Sequence, residues 1–291
     1  MQNNQIFDFL KQYSLIDESE IELYSDRVRD RDDVQVYRCK RSGIIFLSRT
    51  DHLDDGHYRE KSKFRAEAPS SMDLARALGH DDIQRRTTAY KNLVLKKAWL
   101  DIGTGNGAIL DAMGPFAARC AGVEPQRLSR EYLAERGHVV YGDISEVGDG
   151  FEVVSMFHVL EHIPDQLGFL KKVRSRFSSE GTMIVEVPHA RDFLLGFVQS
   201  EAFRDFTLWS EHLILHTRES LKCLMEQAGF RSVNIQGVQR FPLANHLHWI
   251  LQGRPGGHNH WSFLRNAQLD AGYESMLQSL DQTDTLVAIA Q

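Results

Sequence analysis

The run with the densest chemical content is LDIGTGNGAIL, residues 100–110. An apolar strand that enters Gly103, Gly105 and Gly107 and then a helix makes a tight turn. It lets a ligand approach the backbone without Cβ interference and aims helix N–H groups at it. A polar or anionic ligand suits such a turn. The same letters, ending at Ala108, also satisfy G-x-G-x-x-A, so the glycines leave a nicotinamide cofactor and other nucleosides equally open. Two acids narrow the choice. Glu124 ends AGVE, where a carboxylate can accept hydrogen bonds from ribose hydroxyls, and Asp143 ends VVYGD, within reach of an adenine amino group. Acids at two consecutive strand ends favour adenosine. Downstream stand His158, Glu161 and His162, spaced H-x-x-E-H, then His189 and His212. An imidazole with an ordinary pKa of about 6.5 is mostly neutral near neutrality and can take a proton from an acceptor hydroxyl. Each histidine also has the plainer use of a buried hydrogen bonder. On one helical face, His158, Glu161 and His162 could instead ligate a metal, and two imidazoles would favour a transition metal.

These residues need a scaffold that brings strand ends together. Between residues 98 and 189, β-rich runs (KAWLDIG, RCAGVE, HVVYGD, FEVVSMF, GTMIVEV) alternate with amphipathic helix-length segments. Continuous apolar strands separated by helices indicate a parallel sheet covered on both faces, a doubly wound α/β domain. The segment from Thr217 to Ala228 reads as a helix, with Thr217 as N-cap and Gly229 as stop. RSVNIQGV reads as a strand, residues 263–280 as a helix and TLVAIAQ as a closing strand. Residues 1–60 read as a helical start, a charge-dense solvated stretch and a hairpin from Val34–Cys39 and Ile44–Ser48 around Ser42-Gly43. Residues 61–92 read as mostly helical.

Composition sets outer bounds. The 291 residues are 42% hydrophobic and 25% charged, near the globular average, which excludes disordered, collagen-like and coiled-coil chains. With 34 basic and 40 acidic side chains the formal charge is −6, which argues against a nucleic-acid partner. Cys39, Cys120 and Cys223 cannot form a disulfide framework or a CxxC zinc knuckle. The start has neither a cationic leader nor a long apolar run, so a soluble cytoplasmic protein without membrane contact is expected.

Taken together, LDIGTGNG, Glu124, Gly142-Asp143-Ile144, FEVVSMFHVLEHIPD, GTMIVEVP and SEHLILHTRESLKCLMEQAGF resemble the class I S-adenosylmethionine (SAM)-dependent methyltransferases over about residues 85–238, plus the closing strand. The resemblance implies a Rossmann-like, doubly wound seven-stranded sheet with its last strand antiparallel. It further implies an N-terminal cap over residues 1–92 and a SAM-binding domain over 93–291, with an insertion at 239–280 between strands six and seven. SAM is the implied cofactor, S-adenosylhomocysteine the product. Asp101, Gly103, Thr104, Gly105, Asn106, Gly107, Glu124, Pro125, Asp143, Ile144, His158, Arg86 and Tyr58 are its implied contacts, with Arg85 and Arg86 resembling arginines that pair with the methionine carboxylate. Tyr58 or Tyr90 would close the site.

Methyl transfer from a sulfonium is an in-line displacement in which positioning carries most of the work, and a hydroxyl acceptor adds the need for a base. His162, His189 and His212 are the candidate catalytic residues. The H-x-x-E-H run is similar to the E-x-x-E-H cluster of some metal-dependent methyltransferases. An LEH triplet is, however, widespread in metal-independent relatives, and no resident metal is expected. Gln239–Trp261 gathers Arg, Asn, His and Trp side chains suited to a sugar or phosphorylated acceptor, and is similar to a segment of methyltransferases of bacterial surface-polysaccharide biosynthesis. The expected activity is O-methylation of a sugar, nucleotide sugar or phosphorylated metabolite. C- or N-methylation of another small metabolite, an NAD-dependent oxidoreductase and a non-catalytic SAM-binding partner are the alternatives.

Overall fold

A computed structural model describes residues 4–53 and 79–291. The first helix, α1 (Gln5–Gln12), starts where the Asn4 side chain accepts from Phe7 N, and it buries Ile6, Phe7 and Leu10. Three short strands follow: β1 (Ile21–Ser25), β2 (Val36–Cys39) and β3 (Ile45–Leu47). β2 and β3 form the hairpin expected from the Ser42-Gly43 turn, with Gly43 in the left-handed region at φ 79°. The fourth strand of this small sheet comes from far along the chain: β9 (Ile214–Leu215) pairs antiparallel with β3. A shared core explains the join. Leu10, Val36, Ile44, Ile45 and Phe46 pack with Leu208, Leu213, Ile214 and Leu215, and burying an aliphatic or aromatic side chain of this size contributes about 1.5–3 kcal/mol.

Helix α2 (His80–Val94) leads into the large sheet. Strands β4 (Ala98–Ile102), β5 (Arg119–Val123), β6 (Val140–Tyr141), β7 (Phe151–Phe157), β8 (Phe177–Pro188), β10 (Asn234–Val238) and β11 (Thr285–Ala290) lie in the order β10-β11-β8-β7-β4-β5-β6. β4 to β8 are mutually parallel, and β11 runs antiparallel between β8 and β10. The central strands are apolar on both faces because helices cover both. α3 (Ala108–Met113), α4 (Arg127–Glu135) and α5 (Gln166–Arg174) are the crossovers among β4, β5, β6, β7 and β8. Such an order reverses direction on either side of β4, and ligands in open α/β sheets bind at that switch, outside the carboxyl ends of the strands.

The remaining helices are α6 (Phe193–Gly196), α7 (Glu201–Thr207), α8 (Arg218–Gln227), α9 (Leu243–Gln252), α10 (Gly257–His260) and α11 (Ala267–Ser279). α8 has the expected ends: Thr217 and Ser220 form a capping box, and Gly229 takes φ 94°. One stretch differs from the sequence expectation: α11 starts at Ala267 rather than 263 because Asn266 caps it with bonds from Gln268 N and Leu269 N. The Gln239–Trp261 segment is largely helical. No helix among the described residues is long and apolar enough to cross a membrane.

Candidate active site

The β4–α3 turn is built as its glycines require. Gly103, Gly105 and Gly107 have φ of 76°, 56° and 73°, a region that L side chains rarely adopt. A Cβ at Gly103 would lie 2.2 Å from Val159 Cγ2, and one at Gly107 2.1 Å from Leu133 Cδ2. Gly103 and Gly105 border an open cleft, whereas Gly107 serves the packing of α3 on α4. Beneath the turn, Asp101 accepts from Ser155 Oγ at 2.6 Å, which itself accepts from Trp99 Nε1 at 2.9 Å. Burial pushes the Asp101 carboxyl up to about 6, partly offset by its bond from Ser155.

Two clefts meet at Gly103 and His158. The first, of about 490 Å³, is lined by Glu124, Pro125, Asp143, Ile144, Val159 and His162, and roofed by Gln5 and Leu53 of the N-terminal part. Glu124 is 2% exposed, with one carboxylate oxygen accepting from Gly105 N at 2.8 Å and the other from Gln126 N at 2.9 Å. A carboxylate has about four acceptor sites, so both oxygens retain capacity for a ligand hydroxyl. Asp143 accepts from Ser145 N and Oγ, which orients its carboxylate at the cleft rim. The second cleft, of about 350 Å³, is lined by Asp82, Arg86, Asp101, Thr104, Asn106 and Arg240.

His158 belongs to both clefts and departs from ordinary backbone geometry, at φ 56°. A non-glycine residue held in the left-handed region costs about 1–3 kcal/mol and persists only where its surroundings over-determine it. Its Nδ1 lies 3.1 Å from Glu161 Oε1, and its Nε2, 3.2 Å from Glu186 Oε1, lacks hydrogen-bond alignment with it. Burial and Arg240 lower the His158 pKa, but the bond to Glu161 and the adjacent Glu186 carboxylate prevail and raise it. Burial opposes ionisation of Glu161 as well. The hydrogen bond from His158 and the nearby His162 outweigh it and bring the carboxyl to about 2.

The other sequence candidates fall in different places. His162 lines the first cleft, with Nδ1 2.8 Å from Glu211 O. His212 sits behind it, ring centroids 5.2 Å apart, and burial pushes its pKa down to about 3. His189 lies outside both clefts: it is 1% exposed, its Nδ1 is 2.9 Å from Thr283 O, and burial lowers its pKa to about 4. A side chain so enclosed borders no acceptor, which removes the reason for placing it among the catalytic residues. Tyr90 is buried and stacks on Phe157 at 5.9 Å, so it is part of the core under the site, not a closing residue. Tyr58 lies outside the described residues. Glu161, His162 and His212 bring possible metal-ligand atoms within 4.8 Å of one another.

Sequence reasoning missed Glu186. It is fully buried and holds both arginines of α2, Arg85 Nη2 at 2.9 Å from each oxygen and Arg86 Nε at 3.1 Å. The available signal was a single acid inside the apolar run MIVEVP. In Gln239–Trp261, only Arg240 lines either cleft; Asn245, His246, His248 and Trp249 are buried.

The two adjoining clefts offer polar groups that could hold a nucleoside cofactor: the strand-end acids Glu124 and Asp143 in the first, Asp101 and Arg86 in the second, with unblocked space at Gly105, where a Cβ would meet nothing within 4 Å. Comparison with known proteins agrees. A family model described as "Methyltransferase domain" matches residues 74–235. A ubiquinone biosynthesis O-methyltransferase of Azorhizobium caulinodans is 26% identical over 210 residues, covering 64% of this chain and 79% of that one. A Ruegeria relative of the same name is 25% identical, covering 50% of this chain and 64% of its own length, a little under two thirds. In fold, the chain is similar to a SAM-dependent methyltransferase from Archaeoglobus fulgidus, with TM-score 0.51, 18% identity, and 78% of this chain and 97% of that chain covered. It is also similar to a possible histamine N-methyltransferase from Thermotoga maritima, with TM-score 0.50, 16% identity, and 75% and 93% covered. With the glycine turn, both strand-end acids and the antiparallel final strand in place, the chain belongs to the methyltransferase-domain family of class I SAM-dependent enzymes.

Proposed function

We propose that this enzyme methylates a hydroxyl of a small-molecule acceptor. In this reading Glu124 and Asp143 hold the adenosine end of SAM, with Pro125 and Ile144 beside them. Asp101, Thr104, Asn106 and Arg86 face its amino-acid end, and residues 4–53 act as a cap. SAM supplies the methyl group. The chain's own part is to hold cofactor and acceptor in line and to receive the acceptor's proton, for which His158 and His162 are the candidate imidazoles. The observation that supports O-methylation is a pair of imidazoles along the clefts, His158 at their junction and His162 on the first, both beside the buried Glu161 carboxylate. A base held by a carboxylate in one orientation suits removal of a proton from an alcohol or phenol.

The curated relatives named above are O-methyltransferases of ubiquinone biosynthesis, and a hydroxylated precursor of that kind is the first acceptor to assay. The sugar and phosphorylated-metabolite reading loses much of its support, because Asn245, His246, His248 and Trp249 pack inward. The test is turnover with labelled SAM across hydroxylated quinone precursors, nucleotide sugars and amines. Label on a precursor oxygen supports the proposal, and label on nitrogen or carbon alone overturns it. The same assay after exhaustive chelation separates an imidazole base, which keeps its turnover, from a cation held by Glu161, His162 and His212, whose removal abolishes it.

A further inference from the structure

Arg240 comes from the segment between β10 and β11, yet its guanidinium lines the second cleft beside Asp82, Arg86 and Asp101. The backbone explains its aim. Arg240 N donates to both oxygens of Asp284, at 3.1 and 3.0 Å, which ties the residue to the start of β11. Its Nε lies 3.0 and 3.2 Å from the two Asp82 oxygens, and its Nη2 also donates to Asp82, so the fork grips the carboxylate at two points. Bidentate guanidinium–carboxylate pairs fix direction as well as distance. Both side chains are mostly withdrawn from water, 23% and 22% exposed. Burial would push the Asp82 carboxyl up, and Arg240, then Arg86 and Arg85, hold it well below the usual range.

From Asp82 the chain of contacts continues inward. Arg85 bridges Asp82 and Glu186, with Nη2 3.1 Å from the former and 2.9 Å from the latter. Glu186 also binds Arg86 and adjoins His158. Asp82 lies in the first turn of α2, one helical turn from Arg86, so the placement of that turn sets where the Arg86 guanidinium lies. A second tie between the same elements, Arg265 to Asp81 at 3.3 Å, is exposed, and such pairs contribute about 0–1 kcal/mol.

We infer that Arg240 is a positioning residue for the cofactor: its grip on Asp82 fixes α2, and with it Arg86, along the amino-acid side of the SAM cleft. The segment between β10 and β11 thereby completes the cofactor site rather than serving the acceptor alone. This inference rests on the methyltransferase reading of the same cleft.

The test combines Arg240→Gln, Asp82→Asn, the double variant and Arg240→Lys, read by titration with S-adenosylhomocysteine, by KM for SAM against kcat, and by thermal unfolding. Arg240→Gln should raise the S-adenosylhomocysteine Kd and the KM for SAM about tenfold, with kcat changed less than about twofold, because binding geometry and not the chemical step is disturbed. The double variant should lose no more than the worse single, the signature of two groups acting as one unit, and Arg240→Lys should recover part of the affinity. Arg265→Ala, on the exposed tie, should bind as wild type. Wild-type affinity in a folded Arg240→Gln protein, or fully additive losses in the double variant, would overturn the inference. If Arg240→Gln does not fold, Asp82→Asn decides alone, since it keeps the Arg240 side chain and removes only the charge of its acceptor. A wild-type protein that binds no S-adenosylhomocysteine would remove the cofactor reading itself, and the inference with it.

Discussion

Histidines at the cofactor clefts and histidines in the segment after β10 are the same side chain in opposite employment. His158 engages Glu161 through Nδ1 and faces Glu186 Oε1 at 3.2 Å through Nε2, so carboxylates flank both nitrogens. His246 spends both: its Nδ1 is 2.6 Å from the Tyr273 hydroxyl, its Nε2 3.3 Å from Gln239 Nε2, and its ring stacks on Phe193 at 5.8 Å. His248 bonds Arg254 O and stacks on His260 at 5.4 Å. Burial lowers the His246 pKa to about 4, whereas His158, buried with carboxylates, is raised. The partners of the two nitrogens, carboxylates in one region and neutral groups in the other, separate an imidazole that can carry a proton from one that holds helices together.

Breaking the cofactor side should have the largest effect. Glu124→Ala removes the acceptor that organises the Gly105 and Gln126 N–H groups, and hydrogen bonds to a charged group contribute about 1.5–3 kcal/mol. S-adenosylhomocysteine affinity should fall at least about tenfold in titration calorimetry, with the fold intact by circular dichroism. On the other side, His246→Ala should leave that affinity unchanged and lower stability by about 1–3 kcal/mol in urea unfolding, since it strands the Tyr273 hydroxyl and opens space against Phe193. Loss of cofactor binding in this variant would erase the contrast.

The smallest and most graded effect is acid sensitivity. His189, His216 and His246 are lowered to about 4 and His212 to about 3, each chiefly by burial. A histidine whose folded pKa lies below its unfolded value contributes stability that is whole above about pH 6.5 and is lost as pH falls toward the folded value. Each can remove up to about 1.4 kcal/mol per pH unit in that window. The unfolding temperature should therefore decline from pH 6.5 to 4, and His246→Phe should flatten part of that slope. An unchanged slope would show that this imidazole is not the neutral, buried group described.

The sheet was legible because its signals are local. Three glycines in left-handed turns, apolar strands at regular intervals and an acid at each of two strand ends are set by neighbouring residues, and the observed register follows them. Glu186 and the Arg240–Asp82 pair were not legible, because they join residues about 100 and 158 positions apart, and nothing along the chain announces such a meeting. His189 misled for a related reason. It does end β8, but Thr283, beside the start of β11, reaches it first. The Gln239–Trp261 segment misled because Asn, His and Trp compose an internally bonded helix pair as readily as a binding face.

The placement of β11 has a consequence for how the molecule forms. β11 fills the slot between β8 and β10, strands that do not pair with each other, and it follows a long excursion through α9, α10 and α11. Until it docks, β10 has no partner in the sheet and β8 presents an open edge of unpaired N–H and C=O groups next to apolar side chains. Pairings this distant in sequence are reached late, after the loop-closure entropy has been overcome. The interval before β11 arrives is therefore the one in which strand addition by another chain competes with folding, and the order of synthesis makes this strand, one in from the edge, the latch of that side of the sheet.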